Sequence, residues 1–388
     1  MKTLFVLAVF AMGAGPVRFQ RHEIDTDFPG GYQVAVADVN GDGRPDVIAL
    51  STDGDRVDWY ENPTWRRRPV ARTLRNIDLA PQILDGRLGL ALASGFYFGE
   101  TKRGGQIQWL RPGANLDEPW KIHPIATDPV THRVRWGDLD GDGRPELVHA
   151  PIFGQGSGGL QAPAPAHLWA FRLPQHPDDQ PWEVWKIDET LTVLHGLYVG
   201  DLDGDGRAEI LTASYEGIHR FHYQGKFPNG TWQKVRISEG AKPVSAAPGA
   251  SRGSSEIVPG RLGPGRPFLA AIEPWHGHQV VVYTPAADGS WQRRVLDESL
   301  NEGHVLMVAD IDGDGADEII AGWRGKGGGL VLFDPSESSP TGFVRVEIDR
   351  ALPAEGAAIA DFNGDGRPDL VVPAGRAKKV VWFENLGR

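Results

Sequence analysis

Five short segments of the chain concentrate carboxylates at a spacing that suits cation binding. They follow the pattern D-x-(D/N)-G-D-G-x-x-(D/E) and read ADVNGDGRPDVIAL from Ala37, GDLDGDGRPELVHA from Gly137, GDLDGDGRAEILTA from Gly200, ADIDGDGADEIIAG from Ala309 and ADFNGDGRPDLVVP from Ala360. Positions 1, 3, 5 and 9 put side-chain oxygens on one tight turn, and the glycines let the backbone curl around an ion. Hard oxygen ligands in that number suit Ca²⁺, whereas Mg²⁺ would keep more of its waters. The expected ligand sets are Asp38, Asn40, Asp42 and Asp46; Asp138, Asp140, Asp142 and Glu146; Asp201, Asp203, Asp205 and Glu209; Asp310, Asp312, Asp314 and Glu318; and Asp361, Asn363, Asp365 and Asp369. The carbonyl of position 7 adds an oxygen at Arg44, Arg144, Arg207, Ala316 and Arg367. These turns hold 18 of the 51 acidic residues, so five structural calcium ions would bring the formal charge of −11 close to neutral.

A second candidate set lies six residues upstream of each turn. Two weaker copies of the turn, LDGRLGLALA from Leu84 and VPGRLGPGRPFLAA from Val258, complete a series of seven. At this register the copies read Tyr32, Ala80, His132, His195, Ser254, His304 and Glu355, so three of the twelve histidines share one position. If these residues converge, His132, His195 and His304 could hold a transition metal such as Zn²⁺ or Mn²⁺ at about 2.0–2.1 Å, with positions left open. That is the ligand logic of a catalytic centre. Without a metal, the same imidazoles would line a polar, water-filled channel.

Convergence requires a particular architecture, and the repeats supply it. An apolar run enters each acidic turn and another leaves it, which makes a hairpin. A third strand follows, such as RVDWYENP from Arg56 or VVWFENL from Val381, and then a fourth, such as WKIHPIA from Trp120. Four short strands repeated seven times predict an all-β fold, a seven-bladed β-propeller spanning residues 16–388. The last repeat stops after its third strand, while VRFQRHEIDTD from Val17 is an orphan fourth strand. Pairing the two would close the ring and hide a free edge. Trp59, Trp109, Trp120, Trp232 and Trp382 are read as blade packing.

Composition narrows the function. The 388 residues include 50 Gly and 30 Pro, about a fifth of the chain against roughly 12% in an average one, which argues against a helical bundle. There is no cysteine, so a disulfide framework, a cysteine–zinc site and a thiol nucleophile are excluded. The acidic balance lacks the footprint for nucleic acid or anionic membranes, and no P-loop, dinucleotide fingerprint or nucleophile elbow occurs. Residues 1–15 combine Lys2, the apolar run TLFVLAVFAM and small residues, which predicts a signal peptide and an exported protein, periplasmic or extracellular. That run is too short to span a bilayer.

The loops between second and third strands should crowd the mouth that the histidines face. They carry Tyr97 beside Phe96 and Phe98, Tyr215, Trp275 with His276, and Trp323 with Arg324. Aromatic faces interleaved with charged groups suit a carbohydrate, and equally a protein partner.

The acidic repeats resemble the FG-GAP or VCBS repeats of integrin α-chain propellers and of many bacterial exported proteins, which implies the propeller and its calcium but no activity. The run WYENPTW from Trp59, with WFENL near the end and HEI from His22, is similar to propellers of the aldos-2-ulose dehydratase type. That likeness implies a metal-dependent carbon–oxygen lyase that removes water from a keto-sugar. A metal on His132, His195 and His304 would acidify the C–H beside a carbonyl, and Tyr32, His276 or Glu355 would supply acid or base. The alternative is a non-catalytic module binding glycan or protein at the same mouth.

Overall fold

The computed structural model describes residues 15–388; the expected signal peptide lies almost entirely outside them. The described residues form seven antiparallel sheets of four strands each. Blades 1 to 6 are continuous in sequence, and their innermost strands are Gly31–Ala37, Asp78–Leu84, Thr131–Gly137, Gly196–Gly200, Glu256–Arg261 and Gly303–Ala309. Blade 7 is composite: Ala358–Ala360, Asp369–Ala374 and Lys379–Asn385 are joined by Phe19–Asp25 from the other end of the chain. Phe19 pairs with Asn385 and Glu23 with Val381, so the ring closes as the orphan strand requires.

Burial explains why the strands stack as blades. Middle strands are sealed on both faces: Asp46–Ser51, Glu146–Pro151 and Asp369–Ala374 are buried throughout. Their neighbours in adjacent blades supply the packing, as where Leu139, Val148 and Ala170 of blade 3 meet Leu197, Ile210 and Phe221 of blade 4. Outer strands alternate and face water. Trp59, Trp109 and Trp120 are buried inside blades, as expected for packing residues. Among the described residues, no helix is long and apolar enough to cross a membrane.

The acidic turns are shaped by their own side chains. Asp38 accepts hydrogen bonds from the backbone N–H groups of Gly41, Asp42 and Gly43 at 2.7, 3.1 and 2.8 Å. Gly41 and Gly43 take φ of 75° and 83°, where a side chain would be strained. The acid at position 9 is fully buried and buckles the hairpin instead of pointing outward. Asp46 accepts from Val39 N–H at 3.0 Å and Asn62 N–H at 2.8 Å, and Asp369 does the same with Phe362 and Asn385.

Candidate functional site

In six of the seven blades a shared backbone device aims one residue at the axis. Two positions before it, the chain turns through positive φ at Gly30, Arg75, Val130, Val193, Gly253 and Glu302. Val130 and Val193 are β-branched, for which this conformation is a genuine outlier. Such strain persists only where surrounding packing fixes it, and both valines are fully buried. In blades 1, 3 and 6 the pairing register then slips by one residue, leaving Tyr32, His132 and His304 as the extra residue of a β-bulge. Bulges re-aim a side chain out of the ladder.

The same hydrogen bonds fix the register in the two weak blades. Ile77 N–H donates to Ala93, His195 to Ala213, Ser255 to Ile272 and Glu355 to Pro373, all at equivalent points. The axial position is therefore Ile77 rather than Ala80, and Ser255 rather than Ser254. Ala80 is buried in the hydrophobic packing of its blade.

Four histidines meet at the mouth, and their arrangement differs from the expected trio. The nitrogens that lie within 4.8 Å of one another belong to His195, His276 and His304. His276 arrives on the loop after the second strand of blade 5, at φ 45°, with its ring stacked on Trp275 at 4.2 Å. His276 Nε2 is 2.9 Å from His195 Nε2, and His304 Nε2 is 2.8 Å from the Tyr32 hydroxyl. His132 sits beside His195, ring centroids 4.5 Å apart, yet the Arg133 guanidinium donates to its Nε2 at 3.3 Å. A guanidinium only donates, so it occupies the lone pair that a metal would need. His132 thus leaves the cluster and His276 enters it.

Proton positions follow from the outer nitrogens. His195 Nδ1 donates to the Ser255 carbonyl at 2.9 Å and lies 3.1 Å from Glu256, and His304 Nδ1 donates to the Glu355 carbonyl. Both rings therefore present an unprotonated Nε2 inward, as metal-ligating histidines do, with His195 accepting there from His276 and His304 from the Tyr32 hydroxyl, which a metal would displace. Burial, reinforced by neighbouring Arg133 or Arg324, holds the His132, His276 and His304 rings well below the usual imidazole range, and burial also lowers His195. Neutral imidazoles are the form that binds metal, so the donor set fits a zinc-class ion. His276 needs one adjustment: Arg324 donates to its Nδ1 at 3.2 Å, which places its proton on Nε2. Ligation by His276 requires Arg324 to release that ring.

Two charged residues beneath the histidines escaped the sequence reading. Arg133 is buried and pairs at 3.0 Å with Glu256, which also reaches His195. Burial alone would raise the Glu256 carboxyl, but Arg133 and His195 outweigh it and hold it below its ordinary value. The visible signal is a charged residue one position after the axial residue in blades 3 and 5.

Above this floor opens a cavity of about 730 Å³, bordered by Tyr32, His132, His195, His276, Arg324 and Glu355 and walled by Phe96, Tyr97, Phe98 and Trp275. Phe98 and Trp275 are parallel, with an interplanar angle of 6°. Two expected binding residues lie elsewhere. Tyr215 is buried with Val130, Ile152 and Phe153, its hydroxyl on the Gly249 carbonyl and Arg252 over its ring. Trp323 packs into the apolar layer between blades 5 and 6, against the Gly329 backbone. Arg324, its neighbour, does reach the cavity, bonding Glu355 at 2.9 Å.

In the acidic turns, three all-carboxylate clusters bring ligand atoms within 4.8 Å: Asp138, Asp140 and Glu146; Asp201, Asp203 and Asp205; and Asp310, Asp312 and Glu318. Burial and neighbouring carboxylates push Glu146 and Glu318 up to about 8, the electrostatics of sites that need a cation to stay charged.

Comparison with known proteins agrees with the propeller architecture. Residues 104–286 match the family model of the aldos-2-ulose dehydratase β-propeller domain. Residues 310–372 match an FG-GAP-like repeat and residues 30–58 an FG-GAP repeat. The chain is 27% identical over 260 residues to aldos-2-ulose dehydratase of Phanerodontia chrysosporium, a match covering 62% of this chain and 27% of that protein. The chain thus spans about a quarter of that relative's length. Among solved structures, BBS1N in complex with ARL6DN matches with TM-score 0.58 at 12% identity over 95% of this chain and 96% of the other, which shows the fold alone. A second crystal of the same complex gives 0.56 at 13% identity, over 96% and 97%.

Proposed function

We propose that this protein is an exported, calcium-stabilised propeller that eliminates water from a neutral keto-sugar at a metal centre on His195, His276 and His304. The observation that carries the reading is two buried imidazoles whose Nδ1 protons are held by carbonyls, leaving each Nε2 an acceptor, one beside His276 and the other beside the Tyr32 hydroxyl. Likeness to a dehydratase propeller supports the reaction class. The export reading rests on the sequence of residues 1–15.

A metal bound there would act as a Lewis acid on the sugar carbonyl. Glu355 is the base in this proposal: burial raises its carboxyl above the ordinary range, and Arg324 orients it. Tyr32 faces the same space, and burial keeps its phenol protonated. The C–H proton passes to Glu355, the carbon–oxygen bond breaks as the double bond forms, and the departing oxygen takes the Tyr32 proton and leaves as water. Proton return from Glu355 to Tyr32 through solvent closes the cycle.

Charge pairing favours a neutral substrate over a uronate. Arg75 lies 3.7 Å from Asp53, Arg324 bonds Glu355, Arg376 bonds Glu302 at 3.2 Å, and Arg103 bonds Glu100. Among the described residues at the cavity, each arginine already has a carboxylate. Phe98 and Trp275 offer apolar faces for a sugar ring.

The test is incubation of zinc-loaded protein with a panel of keto-sugars, following the ultraviolet absorbance of an enone. Turnover lost in His195→Ala and His304→Ala, with unchanged melting, supports the proposal. Saturable sugar binding without turnover would make the protein a binding module instead.

A further inference from the structure

The third strand of each blade runs back past the acidic turn, and the residue it presents there changes from blade to blade. Pairing register defines the position: Val47 faces Tyr60, Leu147 faces Phe171, Ile210 faces Phe221, Ile319 faces Phe333 and Leu370 faces Phe383, and the next residue lies beside the turn. That residue is Glu61 in blade 1 and Glu384 in blade 7, each taking the amide of the turn asparagine, Asn40 or Asn363. It is Arg172 in blade 3, bonded to Asp140 and Asp142, and Asp334 in blade 6, bonded to Arg388. Blade 4 alone presents an imidazole, His222.

His222 Nδ1 lies 2.9 Å from Glu209 Oε1, and with Asp203 these groups bring three ligand atoms within 4.8 Å of one another. Glu209 is fully buried, and its other oxygen is fixed by Leu202 N–H at 2.8 Å. The comparison with blade 6 is informative. There the corresponding oxygen, Glu318 Oε1, is buried with no hydrogen-bond partner. In blade 4 the His222 ring is hydrogen-bonded to the equivalent oxygen.

We infer that the blade-4 turn is a mixed nitrogen–oxygen site that takes a zinc-class ion on Asp203, Glu209 and His222, unlike the all-oxygen turns of the other four blades. Calcium takes six to eight oxygens at about 2.3–2.6 Å, whereas imidazole with carboxylate suits first-row transition metals. Two ligands at about 2.1 Å and near a right angle stand about 3 Å apart, which matches the His222–Glu209 spacing of 2.9 Å. The register also makes the placement rigid, because both residues lie on paired strands and not on loops. This site is distant from the channel histidines and does not depend on the function proposed for them.

The experiment uses the full chain, stripped with chelator, refilled with saturating Ca²⁺ and titrated with Zn²⁺ alone, with bound zinc counted by equilibrium dialysis and mass spectrometry. If both sites exist, wild type binds two zinc ions, His222→Gln one, His195→Ala one and the double variant none. Asp203→Asn, at an exposed position, serves as a second route to the same loss should His222→Gln fold poorly. Zinc binding by His222→Gln and Asp203→Asn equal to wild type would overturn the inference, as would loss of all zinc in His195→Ala alone. If instead His195→Ala keeps the wild-type count while His222→Gln loses one ion, the blade-4 site stands and the channel metal fails.

Discussion

Removing the Glu256 carboxylate isolates how the channel floor governs the histidines above it. Glu256 is bonded at 3.0 Å to Arg133, whose side chain is only 2% exposed, and lies 3.1 Å from His195 Nδ1. Glu256→Ala leaves a buried guanidinium without its counter-ion, and breaking one partner of such a pair costs about 3–5 kcal/mol. Glu256→Gln keeps an acceptor near Arg133 and should cost less, about 1–3 kcal/mol, the penalty for weakening a charged hydrogen bond. Both variants also weaken the hold on His195, and lost support behind a ligand typically lowers metal affinity by about 10–100-fold. Urea unfolding measures the first effect, and zinc competition against a chromophoric chelator measures the second. Pairing Glu256→Ala with Arg133→Met should recover most of the stability, because no charge is left buried, but not the zinc affinity. A Glu256→Ala protein within about 0.5 kcal/mol of wild type would refute the buried-pair argument. Unchanged zinc affinity in both single variants would refute the claim that Glu256 supports His195.

Three further outcomes follow from the same geometry. Tyr32→Phe removes the hydroxyl that bonds His304 and should lower turnover by about 10²–10⁴-fold while the zinc count stays constant, as general acid catalysis implies. Trp275→Ala strips one aromatic wall and should raise KM with a modest change in melting, whereas Tyr215→Ala, buried in a packed cluster, should lower the melting temperature. Calcium removal should make stability pH-dependent with a defined sign. Glu146 and Glu318 are raised from 4.5 to about 8, so the calcium-free folded state binds more protons than the unfolded chain in that window. Stability in chelator is therefore greatest below about pH 4.5 as far as these groups contribute, and falls as pH rises toward 8. Calcium-loaded protein should lose this slope, which melting curves across pH will check.

The propeller was legible because each turn is contiguous: four side chains and two glycines within nine residues carry the signal, and seven copies fix the blade count. Ring closure was equally readable, since the segment from Val17 carries a fourth-strand pattern with no third strand before it, and it pairs with Lys379–Asn385. The site was harder for a physical reason. It is assembled from several blades, so its register had to be counted from turns that blades 2 and 5 shorten, and the count moved from Ile77 to Ala80 and from Ser255 to Ser254. His276 reaches the cluster through a loop path set by one positive φ, which no spacing encodes. His132 shares the register of His195 and His304, yet the next residue, Arg133, claims its nitrogen. Aromatic type also misled at Tyr215 and Trp323, because residues on mouth loops can turn into the layers between blades.

The proposed elimination depends on a metal among His195, His276 and His304. Anomalous diffraction at the zinc edge, from crystals of untagged protein equilibrated with Zn²⁺, tests it most directly. The expected result is a peak bounded by His195 Nε2, His276 Nε2 and His304 Nε2, with Arg324 withdrawn from His276 Nδ1 and the Tyr32 hydroxyl from His304 Nε2. A channel without a peak, with Arg324 still bonded to that ring at saturating zinc, would contradict it.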